Sequence, residues 1–413
     1  MKFEYFIAKR LISAKDYKNS ISAPIIKIAI TAIALGIVMM LISVATGIGL
    51  KQKIRDKIQA FNGDITIGNL DNNSAQVTEN PIIKHQDFYP DFEKVPEVNH
   101  TQAIATKYGV IRTEEDFEAV VVKGVGEDYK WDYFEDFLKE GKLPNYSEST
   151  ANSTEILLSE FMAERLHFQV GDKVIIYFMN SEEQERTRLV AFDVVGIFNS
   201  GFQEFDKTFV IADLTQIQRL NKWSKDEVGG FEIFIDNFDK LEEVGGKVYR
   251  ETDSTLDAQT IIQQYPSIFE WLSLFDFNIA LIIGIMIIVA GINMITALLV
   301  LILERTPMIG ILKAMGSSDW NIRKIFLYNA IYLIGKGLFW GNLIGIGFLV
   351  IQKYFKIIPL NPDTYYVTEA PVYLSLDYIL YINLGTLLLC LLMLLIPSYI
   401  ITKINPVKAI KFE

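Results

Sequence analysis

The chain has 413 residues, of which 50% are hydrophobic, and a formal net charge of −11. Its single cysteine, Cys390, excludes an intramolecular disulfide framework. The three histidines, His85, His100 and His167, lack the spacing of metal ligands, and the sequence contains neither a P-loop nor a G-x-S-x-G elbow. We therefore expect no catalytic residues, no metal and no cofactor.

Four stretches that are nearly free of charge predict four transmembrane helices. A helix rises about 1.5 Å per residue, so about 20 apolar residues cross a hydrocarbon core of about 30 Å. The predicted spans are residues 25–50, 277–303, 325–351 and 378–402.

The first 24 residues predict an amphipathic helix at the cytoplasmic membrane surface. Phe3, Phe6, Ile7 and Leu11 recur at helical spacing, with basic residues on other faces. A basic start followed by an apolar run is also typical of a signal peptide. Here the run is too long and no small-x-small cleavage site follows it, so we expect a retained anchor.

The distribution of basic residues predicts the orientation. Residues 1–27, 304–324 and 403–413 together carry 13 Lys and Arg, whereas the loop 352–377 carries two. The positive-inside rule then places both termini in the cytoplasm and residues 51–276 on the opposite side of the membrane. The outer segment up to residue 272 has 23 Lys and Arg against 41 Asp and Glu. We therefore expect no nucleic-acid partner, and contacts of the basic cytoplasmic ends with anionic membrane lipids.

The outer segment alternates strand and helix patterns, which predicts an α+β domain. Helical spacing also continues through residues 51–61 and returns over Leu256–Asp276, so we expect two helical stalks, with Pro266 kinking or breaking the second. The strand-like runs are 119–125, 173–178, 192–198, 208–211 and 231–235, and the helix-like runs are 160–167, 214–220 and 241–250.

The cytoplasmic segment 304–324 predicts a short, rigid helix. Pro307 fits the first turn of a helix, and Gly316 fits its end. The residues between them are amphipathic, so the helix is expected at the membrane surface, where a cytoplasmic partner can push on it.

This segment resembles the cytoplasmic signature of the FtsX/MacB/LolC–LolE permeases, which are mechanotransmission subunits of ABC transporters. Met308 stands where the family usually has a charged residue, a departure that concerns one salt bridge to the ATPase and not the docking itself. The positions that match the signature are Glu304, Arg305, Ile309, Gly310, Ile311, Leu312, Ala314, Met315, Gly316 and Ile322.

The resemblance extends over nearly the whole chain. Residues 6–13, 171–174 and 192–206 resemble parts of lipoprotein-releasing permeases, and residues 405–410 match the closing motif of the family. The last outer loop, Asn361–Val372, resembles the Tyr-Tyr…Pro-Val loop of LolC and LolE more than any segment of MacB or FtsX.

The resemblance implies a permease that extracts lipoproteins from the outer leaflet of the bacterial inner membrane. It implies a separate LolD-like ATP-binding subunit, a second permease copy that is identical or related, and a LolA-like periplasmic chaperone. The residues expected to contact the ATPase are Glu304, Arg305, Ile309, Gly310, Ile311, Leu312, Lys313 and Met315. The apolar residues expected to line an acyl-chain cavity on the first and second spans are Met39, Met40, Leu41, Val44, Phe275, Phe277, Leu281 and Ile285.

Several alternatives stay open. Within the fold, the chain is a MacB-like exporter or an FtsX-like activator of cell-wall hydrolases; outside transport, it is a membrane-anchored sensor or scaffold. LolC-type subunits recruit the chaperone through a long apolar hook, but the corresponding connection here, Met179–Arg188, is short and charged. The resemblance therefore implies a LolE-like or hookless subunit.

Two features lie inside the predicted third span. Gly337, Gly341 and Gly345 are spaced by four, so small residues follow one helix face and permit close packing, either within the subunit or between two copies. Lys336 lies near the middle of the span, where an ammonium group is costly unless it reaches water or a polar partner.

Overall fold

The computed structural model describes residues 3–13, 22–72, 77–147, 152–178 and 187–405. Parts of the predicted N-terminal helix, most of the Met179–Arg188 connection and the last eight residues lie outside these ranges. The chain divides into a helical unit, formed by Met1–Lys51, Trp271–Pro359 and Glu369–Glu413, and a sheet unit, formed by Gln52–Glu270 and Leu360–Thr368.

The secondary structure is given in chain order. The helices are α1 Phe3–Ser13, α2 Ser22–Asn62, α3 Asp132–Phe137, α4 Glu160–Leu166, α5 Gln203–Asp206, α6 Leu214–Asn221, α7 Leu241–Glu251, α8 Ile261–Gln264, α9 Pro266–Glu304, α10 Thr306–Ala314, α11 Asp319–Phe355, α12 Pro362–Tyr365, α13 Leu376–Ser398 and α14 Ile400–Lys403. The strands are β1 Ile65–Asn69, β2 Ile82–Ile83, β3 Val98–Arg112, β4 Phe117–Val125, β5 Leu138–Gly141, β6 Glu155–Ser159, β7 Lys173–Phe178, β8 Arg188–Phe198, β9 Phe209–Asp213, β10 Glu227–Val228, β11 Gly230–Ile235 and β12 Leu256–Thr260.

Four helical segments of the described residues are long and apolar enough to cross a membrane. They run over Pro24–Asn62, Pro266–Glu304, Asp319–Phe355 and Leu376–Lys403, and each contains one predicted span. Together with the mixed sheet unit, they confirm the predicted fold class of a four-helix membrane bundle with a large α+β domain.

Close packing of α11 on α2 organises the helical unit. A Cβ atom on Gly337 would lie 2.6 Å from Ile33 Cγ2, and one on Gly341 would lie 2.7 Å from Ile37 Cβ. A Cβ on Gly345 would meet Leu41 Cδ1 at 3.0 Å. The glycine face therefore lies against α2 of the same chain, because larger side chains would separate the two helices.

Polar contacts add to the packing of the helical unit. Asn342 on α11 and Asn383 on α13 exchange side-chain hydrogen bonds of 2.6 and 2.9 Å. Helix α1 packs on α11 through the Tyr5 and Tyr328 rings, whose centroids are 5.9 Å apart. The Lys336 ammonium lies 4.5 Å from the centroid of the Tyr332 ring, a cation–π geometry.

The sheet unit is built on ten paired strands among the described residues, in the order β12-β1-β11-β3-β4-β9-β6-β8-β5, with β7 pairing with both β3 and β8. The second pairing of β7 closes β3, β4, β9, β6, β8 and β7 into a ring. Alternation along these strands places Val174, Ile176 and Phe178 in the interior, where they are fully buried.

The helical stalk predicted over Leu256–Asp276 is wrong for its first part. Leu256–Thr260 forms β12 and pairs with all five residues of β1, so sheet pairing overrides the local helical pattern. Of the two predicted effects of Pro266, a kink or a break, the structure has the break: α8 ends at Gln264 and α9 begins at Pro266, a position that needs no amide hydrogen.

Candidate coupling site

Helix α10 forms where the sequence predicts a short helix, for the predicted reasons. Pro307 occupies its first turn, and Gly316 follows its end with φ +87°, a left-handed conformation that glycine adopts readily. Thr306 Oγ1 donates a 2.8 Å hydrogen bond to the Leu303 carbonyl at the end of α9. The turn between α9 and α10 is therefore held by this hydrogen bond to α9 and by Pro307 at the start of α10.

One face of α10 is buried within the helical unit. Ile309 is fully buried and Leu312 is 7% exposed, and both belong to a core cluster that also contains Ile322 and Ile401. Gly310 is buried as well. These three predicted contact residues therefore anchor α10 to its own chain.

Lys313 also holds α10 in place. Its ammonium lies 2.8 Å from Asp319 Oδ1 and donates to the carbonyls of Ile404 and Thr402 at 3.0 and 3.3 Å. Just before α10, Arg305 Nη2 lies 3.6 Å from Glu304 Oε1. A cation at the end of α14 is favourable because the last carbonyls of a helix are partly negative.

The opposite face of α10 exposes apolar side chains. Ile311 is 51% exposed and Met315 is 75% exposed, and Trp320 at the start of α11 is 50% exposed. Pro307 and Ala314 are also exposed. We call these five residues the coupling surface. Exposed apolar side chains of this kind occur at protein contacts and at membrane contacts, and Trp320 adds one to the predicted residues.

The apolar residues predicted to line an acyl-chain cavity occupy different environments. Met39, Phe277, Leu281 and Ile285 are 45 to 66% exposed along α2 and α9. Phe275 is half-buried against Trp271, with ring centroids 5.0 Å apart. The buried members are Leu41, which lies against Gly345, and Met40 and Val44, which line a groove next to α9 and α13.

The end of α2 is anchored by a buried charge cluster in the sheet unit. Lys123 on β4 and Glu232 on β11 are 1% and 2% exposed and form an ion pair of 2.6 Å. The same ammonium donates a 2.6 Å hydrogen bond to the Phe61 carbonyl in the last turn of α2. Gln102 donates to Glu232 at 2.8 Å, and the Tyr129 hydroxyl donates to the Ala60 carbonyl at 3.2 Å.

This anchor cluster, defined by Lys123, Glu232, Gln102 and Tyr129, satisfies carbonyls that a helix end leaves unpaired. Burial lowers the pKa of Lys123, and the adjacent Glu232 charge opposes this shift. The Phe61 ring adds apolar packing, since Phe205 and Phe134 lie 4.9 and 5.2 Å away. The last turn of α2 is thereby fixed to the sheet by both charge and packing.

The segment between α11 and α13 also contacts α2. The Tyr366 ring stacks on Phe202 with a centroid distance of 4.7 Å, and Lys57 donates to the Tyr366 carbonyl at 3.0 Å. The segment Leu360–Thr368 accordingly belongs to the sheet unit. The sequence shows its Tyr-Tyr motif but does not predict Phe202 as the ring partner of Tyr366.

Comparisons with known proteins agree with this architecture. Residues 28–254 match the family model described as the MacB-like periplasmic core domain, and residues 280–406 match that of the FtsX-like permease C-terminal region. The first match covers more than half of the chain.

Two relatives of similar length are named as proteins of a lipoprotein-releasing system. The chain is 20% identical over 425 residues to the lipoprotein-releasing system transmembrane protein LolC of Xylella fastidiosa, covering 98% of both chains. It is 23% identical over 433 residues to LolE of that system in Haemophilus influenzae, covering 99% of both. Among solved structures, the periplasmic region of MacB from Actinobacillus actinomycetemcomitans is similar at 14% identity and a TM-score of 0.33, covering 49% of this chain and 91% of that one.

Proposed function

Because the chain belongs to the family of the MacB-like periplasmic core domain and carries an FtsX-like permease C-terminal region, we propose that it is the permease subunit of an ATP-driven lipoprotein-releasing complex. It extracts lipoproteins from the outer leaflet of the bacterial inner membrane and passes them to a LolA-like periplasmic chaperone. The observation that carries the proposal is similarity to LolC and LolE over at least 98% of each chain.

The chain is a multi-pass membrane protein whose energy comes from outside itself. A separate LolD-like subunit binds and hydrolyses ATP and docks on the coupling surface. Ile311 and Met315 make the contact, while Ile309 and Leu312 join α10 to the bundle. Because the buried face joins α10 to the bundle, a force on the exposed face of α10 moves the bundle and does not merely bend a loop.

The membrane spans carry this motion outward. In the proposed topology, both termini and residues 304–324 are cytoplasmic, and residues 51–276 and 352–377 are periplasmic. Helices α2 and α9 each continue from residues of the helical unit into residues of the sheet unit without a break. The anchor cluster then passes displacement of α2 to the strands that hold Lys123 and Glu232.

The exposed apolar stripes receive the substrate. Met39 on α2 and Phe277, Leu281 and Ile285 on α9 face away from their own bundle. A second permease copy, identical or related, faces these stripes and completes an acyl-chain cavity. Each methylene buried in apolar surroundings contributes about 0.8 kcal/mol, so a triacylated anchor leaves the membrane only with an energy source.

Release from proteoliposomes tests the proposal. The complex is reconstituted with its ATP-binding subunit and a labelled triacylated lipoprotein, with the chaperone in solution. We expect ATP-dependent transfer of the label to the chaperone, and none with a non-hydrolysable nucleotide. ATP hydrolysis without release of any acylated cargo would contradict the proposal, and a cargo without acyl chains is the matched control.

A further inference from the structure

A groove between three helices of the helical unit contains Met40 and Val44, two of the residues predicted for the acyl-chain cavity, but none of the exposed residues that form the proposed substrate stripes. It lies between α2, α9 and α13, with a volume of about 450 Å³. Its walls are almost entirely apolar, with Val44, Ile279, Ile283 and Ile382 among the lining side chains. We call it the α13 groove.

The length of the α13 groove suits an extended acyl chain. It extends from Met40 to Ile48 on α2 and from Tyr378 to Leu389 on α13, which is about 12 to 16 Å at 1.5 Å per residue. An acyl chain laid along this length contacts apolar side chains of three helices.

One end of the groove is charged. Asp276 lines it, and the Lys51 ammonium lies 2.6 Å from Asp276 Oδ2. The two side chains are 61% and 35% exposed, so both remain accessible to a ligand. Tyr378 and Tyr381 line the same end, as tyrosines do at a membrane interface.

The α13 groove and the substrate stripes lie on different helix faces. At 100° per residue, the groove residues of α9, such as Ile279 and Ile283, are centred about 140° from Phe277, Leu281 and Ile285. A ligand in the groove and a substrate on the stripe therefore do not compete for the same surface.

We infer that the α13 groove binds a zwitterionic phospholipid with an ammonium headgroup, such as phosphatidylethanolamine. Its acyl chain lies along Met40, Ile283 and Leu389, its ammonium contacts Asp276, and its phosphate contacts Lys51. The paired positive and negative groups at the rim complement a zwitterion, whereas an anionic headgroup would place its charge beside Asp276. This site needs neither the ATPase nor the substrate.

Gly385 offers a way to fill the groove without disturbing the protein. It lines the groove, and a Cβ atom added there meets no other atom within 4 Å. A Gly385→Leu side chain therefore enters the space that the lipid would take. Gly335→Leu is the matched control, because Gly335 is exposed on α11 and is equally free of neighbours.

The test uses the full-length chain in nanodiscs that contain phosphatidylethanolamine with a photoactivatable acyl chain. We expect labelling concentrated on groove residues such as Leu389, reduced about tenfold by Gly385→Leu and unchanged by Gly335→Leu, because the leucine displaces several buried methylenes. Replacement of the probe with a phosphatidylglycerol analogue should weaken labelling of wild type, and Asp276→Asn should abolish that preference.

Three results would overturn the inference. Equal labelling of wild type and Gly385→Leu, at equal thermal midpoints, would show that the groove does not hold the chain. Displacement by a triacylated lipopeptide would identify a lipoprotein anchor as the occupant, and crosslinks to a second copy would identify a protein contact. None of these readouts depends on lipoprotein release, so the proposed function can fail while this site stands.

Discussion

At the residue scale, Asp64 is a second buried charged group near the end of α2. It is fully buried just after the helix, where one carboxylate oxygen accepts hydrogen bonds from Gln59 and the Ile235 amide at 2.7 and 2.9 Å. The other oxygen is buried without a partner in the part of the chain that the structure describes. Burial raises the pKa of Asp64 to about 6.

Because this pKa is above that of the unfolded chain, the folded state binds the proton more tightly between about pH 4 and pH 6. The contribution of Asp64 to stability is therefore largest at low pH and falls as the pH rises through this window. At neutral pH the buried charge costs about 3 kcal/mol. We expect Asp64→Asn to remove this penalty and raise stability at neutral pH by about 1 to 3 kcal/mol.

Thermal unfolding of the detergent-purified chain at about pH 4, 6 and 8 measures this effect. The gain of Asp64→Asn over wild type should grow as the pH rises. Asp87→Asn is the control, because the Asp87 side chain is 88% exposed. Loss of its charge should leave the pH dependence of the thermal midpoint unchanged. A loss of stability with Asp64→Asn at every pH would count against this account of the buried carboxylate.

The partners of individual residues in distant segments are not predicted by the sequence. The run 119–125 predicts a strand, and in it Lys123 directly follows three buried valines. Nothing in that run names Glu232, which is 109 positions away, or the Phe61 carbonyl that the ammonium reaches. Ion pairs between distant segments follow from strand order, which a single sequence does not specify.

At the element scale, α10 separates anchoring residues from docking residues. The sequence predicts the helix and its ends, because Pro307 and Gly316 act locally. It does not show which face is free, and the predicted set mixes the buried Leu312 with the exposed Ile311. That distinction depends on contacts with α11 and α14.

We predict that Ile311→Asp with Met315→Asp abolishes assembly with the ATP-binding subunit while the chain stays folded. Both side chains are exposed, so charges there cost little in the free chain but oppose burial at an interface. Loss of two apolar interface residues should weaken binding by about 100-fold or more. Affinity purification of the complex measures this.

The control is Ile83→Asp in the sheet unit, where Ile83 is 61% exposed. It should leave assembly intact. Leu312→Asp is expected to fail differently, by unfolding the helical unit. Normal assembly of the Ile311 and Met315 double variant would show that the ATPase docks elsewhere.

The anchor cluster gives a second prediction at this scale. Lys123→Met alone leaves the buried Glu232 charge without its cation, so we expect a loss of about 3 to 5 kcal/mol in stability. Lys123→Met with Glu232→Met replaces the pair by apolar groups of similar size and should be neutral or more stable. The double variant still lacks the hydrogen bond to the Phe61 carbonyl.

In the reconstituted complex, the double variant should therefore hydrolyse ATP at the wild-type rate but release less lipoprotein per ATP. Thermal midpoints, hydrolysis rates and release yields of the single and double variants together measure this. A double variant with wild-type release per ATP would show that motion of α2 reaches the sheet unit by another route.

At the scale of the whole molecule, most of the architecture is predicted from the composition and the charge distribution of the sequence. Long apolar runs predict the four spans because the membrane thickness fixes their length. The α+β character follows from strand runs such as Lys173–Phe178, which the structure has at the same bounds. The sequence misassigned Leu256–Thr260, since its strand forms only by pairing with β1, about 190 residues earlier.

The central claim is that the coupling surface and the sheet unit lie on opposite sides of the membrane. Single cysteines at Met315, which is 75% exposed, and at Tyr249 on α7, which is 60% exposed, report on the two sides. The background is Cys390→Ala, because the native cysteine is buried in α13 and is the only one in the chain.

Labelling of intact cells with a membrane-impermeant maleimide is the direct measurement. We predict that the Tyr249→Cys variant is labelled before lysis, with access through the outer membrane provided by mild permeabilisation, and that Met315→Cys is labelled only after the inner membrane is opened. Labelling of both positions from the same side would contradict a chain that transmits ATP-driven motion across the membrane.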